Sequence, residues 1–207
     1  MAGTNGPSRG RFPRQHDHPL ILQTGENKFD IGPLTFEIAA VAEEPIIDLH
    51  SDHYFMGEAL RQAVKAYERE EVPIGAVVVR DGRIIGRAYN QVETLKDATA
   101  HAEMLALTQA ESAVGDWRLT DSTLYVTKEP CPMCAGAIVH VRLARVVYGV
   151  GDPKAGAAGG AMNVLQFPTL NHRCDITRGV REQECTGLLQ GFFAEQRAKA
   201  KLRPPAE

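Results

Sequence analysis

Two short stretches of this chain combine residue types that can do chemistry: His101-Ala102-Glu103 and, thirty residues after His101, Pro130-Cys131-Pro132-Met133-Cys134. Two thiolates and one imidazole are soft-to-borderline donors that suit Zn²⁺, and the Cys-x-x-Cys spacing lets both sulfurs reach one ion. Three protein donors leave one position of a tetrahedral ion open, which is the catalytic arrangement rather than the closed structural one. Glu103, two residues beyond His101, can stand beside that open position without occupying it. The expected chemistry is hydrolysis by zinc-activated water, with one Zn²⁺ per chain held by His101, Cys131 and Cys134.

Each half taken alone has plainer readings. His-x-Glu is a common polar turn on a helix, and a lone Cys-x-x-Cys is also half of a zinc ribbon or a redox pair. A ribbon needs a second pair of ligands, yet Cys174 and Cys185 are too far apart to form another Cys-x-x-Cys. The redox reading leaves His101 and Glu103 unexplained. Cys174 and Cys185 read as small apolar fillers.

These residues need particular elements beneath them. If His101 and Cys131–Cys134 sit in first helical turns, free N–H groups and positive dipole ends face the metal site. Both effects favour thiolates, and a bound zinc keeps them deprotonated. Thr99 is expected to cap the helix that runs through His101, Glu103, Met104 and Leu107. Pro130 is expected to open the helix through Cys131, Cys134 and Ile138. Upstream, Asp52 reads as the N-cap of a helix whose apolar face is Phe55, Met56, Ala59, Leu60, Ala63, Val64 and Tyr67, stopped by Pro73.

Ile74 to Val79 reads as a strand, Asp81-Gly82 as a tight turn, and Ile84 to Tyr89 as the antiparallel partner. Thr123 to Val126 and Arg145 to Val150 read as strands joined through a helix, so they should pair in parallel. A last helix, from about Val180 to Lys201, would turn Leu188, Leu189, Phe192 and Phe193 inward. Trp117, the sole tryptophan, reads as a packing residue. A hairpin extended by parallel strands and covered by helices on both faces is an α/β, three-layer α/β/α fold with a mixed central sheet.

At 207 residues the chain can bury one good core. Residues 1–50 read as an N-terminal extension of unassigned role. Met1 to Pro19 is rich in Gly, Pro, Arg and His and is expected to be disordered. Residues 51–207 read as the zinc-dependent domain. Four cysteines without an apolar N-terminal segment favour a reducing compartment. No stretch is apolar enough to span a membrane, so a soluble, cytoplasmic protein is expected. A net charge of −3 does not announce a nucleic-acid binder. The basic end at Arg197, Lys199, Lys201 and Arg203 reads first as a solvated helix terminus, although it permits phosphate contact.

The H-x-E…P-C-x-x-C pattern is identified as the signature of the zinc nucleobase deaminases. The chain from about residue 52 to 201 resembles the bacterial tRNA-specific adenosine deaminase (TadA) family, within the cytidine-deaminase-like superfamily. The resemblance rests on Ala100 to Met104, on Thr123 to Ala137 and on Arg145-Val146-Val147-Tyr148-Gly149. It extends to Lys154-Ala155-Gly156-Ala157-Ala158-Gly159, Asn171-His172-Arg173, Phe192-Phe193 and, upstream, Glu71 to Val77 with Asn90. The zinc motif marks the superfamily, whereas the Gly-Ala-Ala-Gly loop and Asn-His-Arg segment favour the tRNA branch. Lys128 stands where the family usually has leucine, and Val141 where serine is common.

The resemblance implies Glu103 as proton shuttle beside zinc on His101, Cys131 and Cys134. It also implies Asn90 as a hydrogen-bonding partner of the flipped base, Ile74 and Ala102 in the pocket, and Lys154, Asn171 and Arg173 along the anticodon nucleotides. Simpler roles exist: Asn90 as a strand-end cap, the loop glycines as turn formers, and Ile74 as a core residue. The activity implied is conversion of adenosine to inosine at the wobble position of a tRNA anticodon stem-loop. The enzyme would be a homodimer, with the helix after Cys131 and Cys134 near the interface, and would need no membrane and no organic cofactor. A deaminase of a free nucleobase, nucleoside or nucleotide is the alternative, and an RNA-binding module with structural zinc a third. Glu103 speaks against the third, since a structural site has no use for it.

Overall fold

The computed structural model describes residues 48–202, which fall within one compact unit, Pro45–Glu207. The expectations for residues 1–47 and for Arg203 lie outside the described residues. Five strands form one mixed sheet in the order β2-β1-β3-β4-β5: β1 Gly75–Arg80, β2 Arg83–Tyr89, β3 Ser122–Lys128, β4 Arg145–Val150 and β5 Asp175–Arg178. β1 pairs antiparallel with β2 and β3, while β3–β4 and β4–β5 are parallel. The hairpin turn is Asp81-Gly82, both at positive φ, as a tight two-residue connection requires.

Period-two alternation divides the sheet's side chains between two cores. Ala76, Val78, Leu124, Val126, Val146 and Tyr148 face α3 (Ala102–Val114) and α4 (Pro132–His140). Val77, Val79, Tyr125 and Val147 face α1 (Asp52–Glu68), and Cys185 of α5 (Glu182–Leu202) joins that cluster. The result is the expected α/β/α stack. β1 is buried along nearly its whole length because helices cover both of its faces. α3 lies close against β2: a Cβ on Gly86 would stand 2.3 Å from the Ala106 carbonyl oxygen. That close approach seats the middle of α3, at Ala106 and Ala110, on β2.

Several boundaries differ from the sequence reading. The N-cap of α1 is Ser51, whose hydroxyl accepts from the Tyr54 N–H. Asp52 instead accepts both guanidinium nitrogens of Arg145, at 2.8 and 2.6 Å, and the Tyr125 hydroxyl. α1 ends at Glu68, well before Pro73, where Glu70 takes a left-handed conformation. Thr99 does not cap α3; its N–H and hydroxyl donate to Asp97, and His101 is the N-cap. Pro130 precedes α4, whose N-cap is Cys131 with Pro132 at the first helical position.

The short helix α2 (Val92–Leu95) and the edge strand β5 had no counterpart in the hydrophobic pattern. Phe193 is 44% exposed and turns away from the core that takes Leu189 and Phe192. Trp117 is 49% exposed and carries the Arg118 guanidinium over its ring, so it is a surface residue rather than a packing one. Among the described residues no helix is long and apolar enough to cross a membrane.

Candidate active site

His101 and Cys131 are the N-caps of α3 and α4, and Cys134 lies in the first turn of α4. Two helix N-termini on one side of the sheet therefore converge, and their unpaired N–H groups favour negative charge there. The donor atoms of His101, Cys131 and Cys134 all lie within 4.8 Å of one another. The sulfurs of Cys131 and Cys134 stand 3.6 and 3.5 Å from Nδ1 of His101. In a tetrahedral zinc site, Zn–S bonds of about 2.3 Å and a Zn–N bond of about 2.0–2.1 Å separate sulfur from nitrogen by about 3.6 Å. The donor set and its spacing fit zinc. No other such cluster occurs among the described residues.

The sulfurs are strongly polarised against each other. Hydrogen bonding from Cys134, reinforced by His101, pushes the Cys131 thiol down to about 3, which makes it a thiolate at neutral pH. The same interaction and burial hold Cys134 well above the ordinary thiol range. The hydrogen bond with Cys131 raises the His101 pKa.

Glu103 sits in the first turn of α3, 4% exposed. Burial raises its pKa, and its Oε2 is buried without a hydrogen-bond partner among the described residues. A buried carboxylate oxygen lacking a partner costs about 1–3 kcal/mol or more, so such atoms are rare where a fold has no use for them.

Around this centre, Ala102 is fully buried at the start of α3 and Ile74, just before β1, packs against the α3/α4 core. Asn90 is buried at the end of β2, where its Nδ2 donates to Glu71 at 3.2 Å. Lys154 is exposed in the loop after β4. Asn171 lies further off, lining a cavity of about 590 Å³ with Trp117, Gly136, Val139, His140 and Leu170. Arg173 is exposed and donates to the Pro168 carbonyl at 2.9 Å. Asn90 is thus buried and Ile74 packed against the core, while Lys154, Asn171 and Arg173 are exposed. At the C-terminal end, Lys199 pairs with Glu70 at 2.6 Å, which ties α5 to the end of α1.

Two buried glutamates carry structure that the motif reading left unassigned. Glu71 is 0% exposed and accepts from Asn90, from the Glu93 N–H at 3.1 Å and from the Thr94 N–H at 2.6 Å. It thereby holds Asn90 and the start of α2 together. Glu129, 3% exposed, accepts three backbone N–H groups from the loop after β4. Their neighbours gave no signal of burial, since Glu71 follows Glu68-Arg69-Glu70 and Glu129 follows Lys128.

Known proteins place these features. The MafB19-like deaminase family model matches residues 50–197. A tRNA-specific adenosine deaminase of Bacillus subtilis (strain 168) is 53% identical over 150 residues, covering 72% of this chain and 93% of that protein. A solved structure from work on A-to-I editing by tRNA:A34 deaminases is 46% identical, with a TM-score of 0.64, covering 66% of this chain and 99% of that one. A guanine deaminase from Nitrosomonas europaea superposes with a TM-score of 0.61 at 22% identity, covering 70% of this chain and 85% of that one, and so shares the fold alone. With its mixed five-stranded sheet and this extent of identity, the chain belongs to the tRNA-specific adenosine deaminase (TadA) family of the cytidine-deaminase-like superfamily.

Proposed function

We propose that this protein hydrolytically deaminates adenosine to inosine at the wobble position of a tRNA anticodon, using one zinc per chain held by His101, Cys131 and Cys134. The observation that carries the chemistry is the buried Oε2 of Glu103, without a hydrogen-bond partner among the described residues, beside a three-donor cluster of tetrahedral spacing. Zinc bound there supplies Lewis-acid activation of water, bringing its pKa from about 15.7 toward about 7. Glu103 accepts the first proton of the water at Oε2 and gives it to the ring nitrogen next to the amino-bearing carbon; it then takes the second proton, from the hydroxyl added to that carbon, and delivers it to the amino group, which leaves as ammonia. Burial raises its pKa, which favours uptake of a proton from water.

Asn90, held by Glu71, keeps Oδ1 available for the base, and Ile74 and Ala102 supply apolar walls. An anticodon loop presents an already unpaired base, so extrusion costs less than from a duplex. Lys154 and Arg173 are solvent-facing cations on segments outside the pocket and serve the phosphates. The protein works in the cytoplasm as a homodimer. In support, Trp117 and Leu170 expose apolar surface beside Gly136, Val139 and His140 of α4.

Incubation with total tRNA and, separately, with free nucleosides, followed by inosine quantification, tests the substrate. Inosine should appear in tRNA, and replacing Lys154 and Arg173 by Ala should flatten the salt dependence by about one counterion per lost phosphate contact. Inosine formed from free adenosine and none in tRNA would select the small-molecule alternative. Metal analysis of Cys131→Ala tests the centre: zinc and activity should be lost together, and full zinc retention would mean other ligands.

A further inference from the structure

We infer that Glu129 is a positioning residue for substrate: its carboxylate fastens the loop of residues 152–160 to the turn that carries Cys131, and so sets where that loop meets RNA. The inference rests on the proposed function, in which the loop borders the anticodon.

Glu129 is the residue after β3 and stands two positions before Cys131. Its Oε2 accepts the Asp152 N–H at 2.7 Å, and its Oε1 accepts the Ala158 and Gly160 N–H groups at 2.9 and 2.8 Å. One side chain thus satisfies donors at the beginning and the end of a nine-residue loop. The neighbouring turn adds a fourth link, because the Ala157 N–H donates to the Pro130 carbonyl at 2.8 Å. The loop wraps the carboxylate so closely that side chains are excluded. A Cβ on Gly156 would stand 2.2 Å from the Glu129 carboxyl carbon, and one on Gly160 2.6 Å from Oε2.

The residue before Glu129 acts on the same loop from outside. Lys128 pairs with Asp152, whose Oδ1 also accepts the Lys154 and Ala155 N–H groups at 3.0 and 3.1 Å. Lys154 and Ala155 are exposed, whereas Ala157 and Ala158 are fully buried. The loop therefore has a fixed base and an exposed tip, and Glu129 is the fixing point. A charged acceptor meeting three N–H donors cannot be replaced by an amide without loss: glutamine keeps one oxygen and turns an NH₂ toward a donor.

The test uses the full-length, zinc-loaded protein and a tRNA anticodon stem-loop carrying adenosine at the wobble position. Glu129→Gln should speed hydrogen exchange in segment 152–160 and raise KM for the stem-loop by about tenfold, with kcat falling by no more than about threefold. Zinc should remain at the wild-type level. Gly160→Ala, whose Cβ would meet the Asp152 carbonyl oxygen at 2.3 Å and Glu129 Oε2 at 2.6 Å and so disturbs the same fastening from the loop side, should reproduce the KM rise and keeps the test available if a Glu129 variant does not fold. Wild-type exchange in the loop would overturn the inference, as would faster exchange with an unchanged KM. A kcat loss exceeding the KM rise would also overturn it, because the carboxylate would then serve the chemistry. Failure of the proposed function is separately visible: the wild-type protein would then form no inosine in the stem-loop, while loop exchange still reports the fastening.

Discussion

Glu103 and Glu129 are both buried carboxylates next to the same metal-binding motif, and they differ in one respect: Glu129 accepts three backbone N–H groups, whereas Oε2 of Glu103 accepts none among the described residues. Burial penalises either charge, so each needs a counterpart. Glu129 finds it within the protein, which makes it part of the scaffold. Glu103 leaves that need open beside the cluster of His101, Cys131 and Cys134, which is why the proposed mechanism gives it the proton transfers. Partner number, more than burial or motif membership, separates the carboxylate proposed to react from the one that holds.

The largest break in that comparison should come from Glu103→Ala. Turnover should fall by at least about 10²–10⁴-fold, the usual contribution of a placed acid–base group, while zinc content and the unfolding midpoint stay near wild type. Retention of a tenth of wild-type turnover would remove Glu103 from the mechanism and dissolve the contrast with Glu129.

Glu71 sharpens the comparison because it is a saturated carboxylate farther from the reacting centre. Glu71→Gln should lower stability by about 2 kcal/mol, since an amide turned toward an N–H leaves buried donors unmatched. Denaturant unfolding measures this, and an unchanged midpoint would show that the three bonds carry no net stability.

Asp52 offers a saturated carboxylate at a half-buried position. The guanidinium of Arg145 holds its pKa below the ordinary carboxylate value. A lowered folded-state pKa adds stability above the unfolded value of about 4, and that contribution disappears as pH falls through the folded value. Asp52→Asn should therefore cost about 1 kcal/mol at pH 7, and the difference from wild type should shrink below about pH 4. A difference that stays constant from pH 7 to pH 3 would assign the loss to packing.

The smallest effect is expected at the remaining sulfurs. Cys174 and Cys185 are buried, and the Cys174 thiol donates to the Leu143 carbonyl at 2.9 Å. Neither lies in the His101 cluster. The double Cys→Ala variant should keep its zinc and activity with stability lowered by about 1–2 kcal/mol. A fall in zinc stoichiometry would contradict this.

Most of the sheet was legible because its hydrophobic pattern has one physical cause, alternate burial on two covered faces. β4 coincides with the expected Arg145–Val150, and β1, β2 and β3 differ from expectation by one or two residues at an end. β5 was hidden, since an edge strand of four residues, Asp175–Arg178, mixes polar and apolar side chains and leaves little pattern. Caps were misread at Asp52 and Thr99 because both residue types favour capping but also accept competing partners. Arg145 claims Asp52, and Asp97 claims Thr99. Trp117 was misread because its size favours burial, yet it lies just past α3 where nothing covers it among the described residues.

The sequence by itself picked out His101, Cys131 and Cys134 as residues able to gather around a metal ion, with a carboxylate two residues from the first, because ligand chemistry follows residue type and a Cys-x-x-Cys spacing is local. It also determined the layered α/β architecture, because burial periodicity is written residue by residue. Only the tertiary structure decided which carboxylates are saturated. Hydrogen bonds from Ala158 and Gly160 to Glu129, or from Thr94 to Glu71, join residues more than twenty positions apart. Such pairings depend on how β3, α2 and the 152–160 loop meet in space, and no local pattern encodes that meeting.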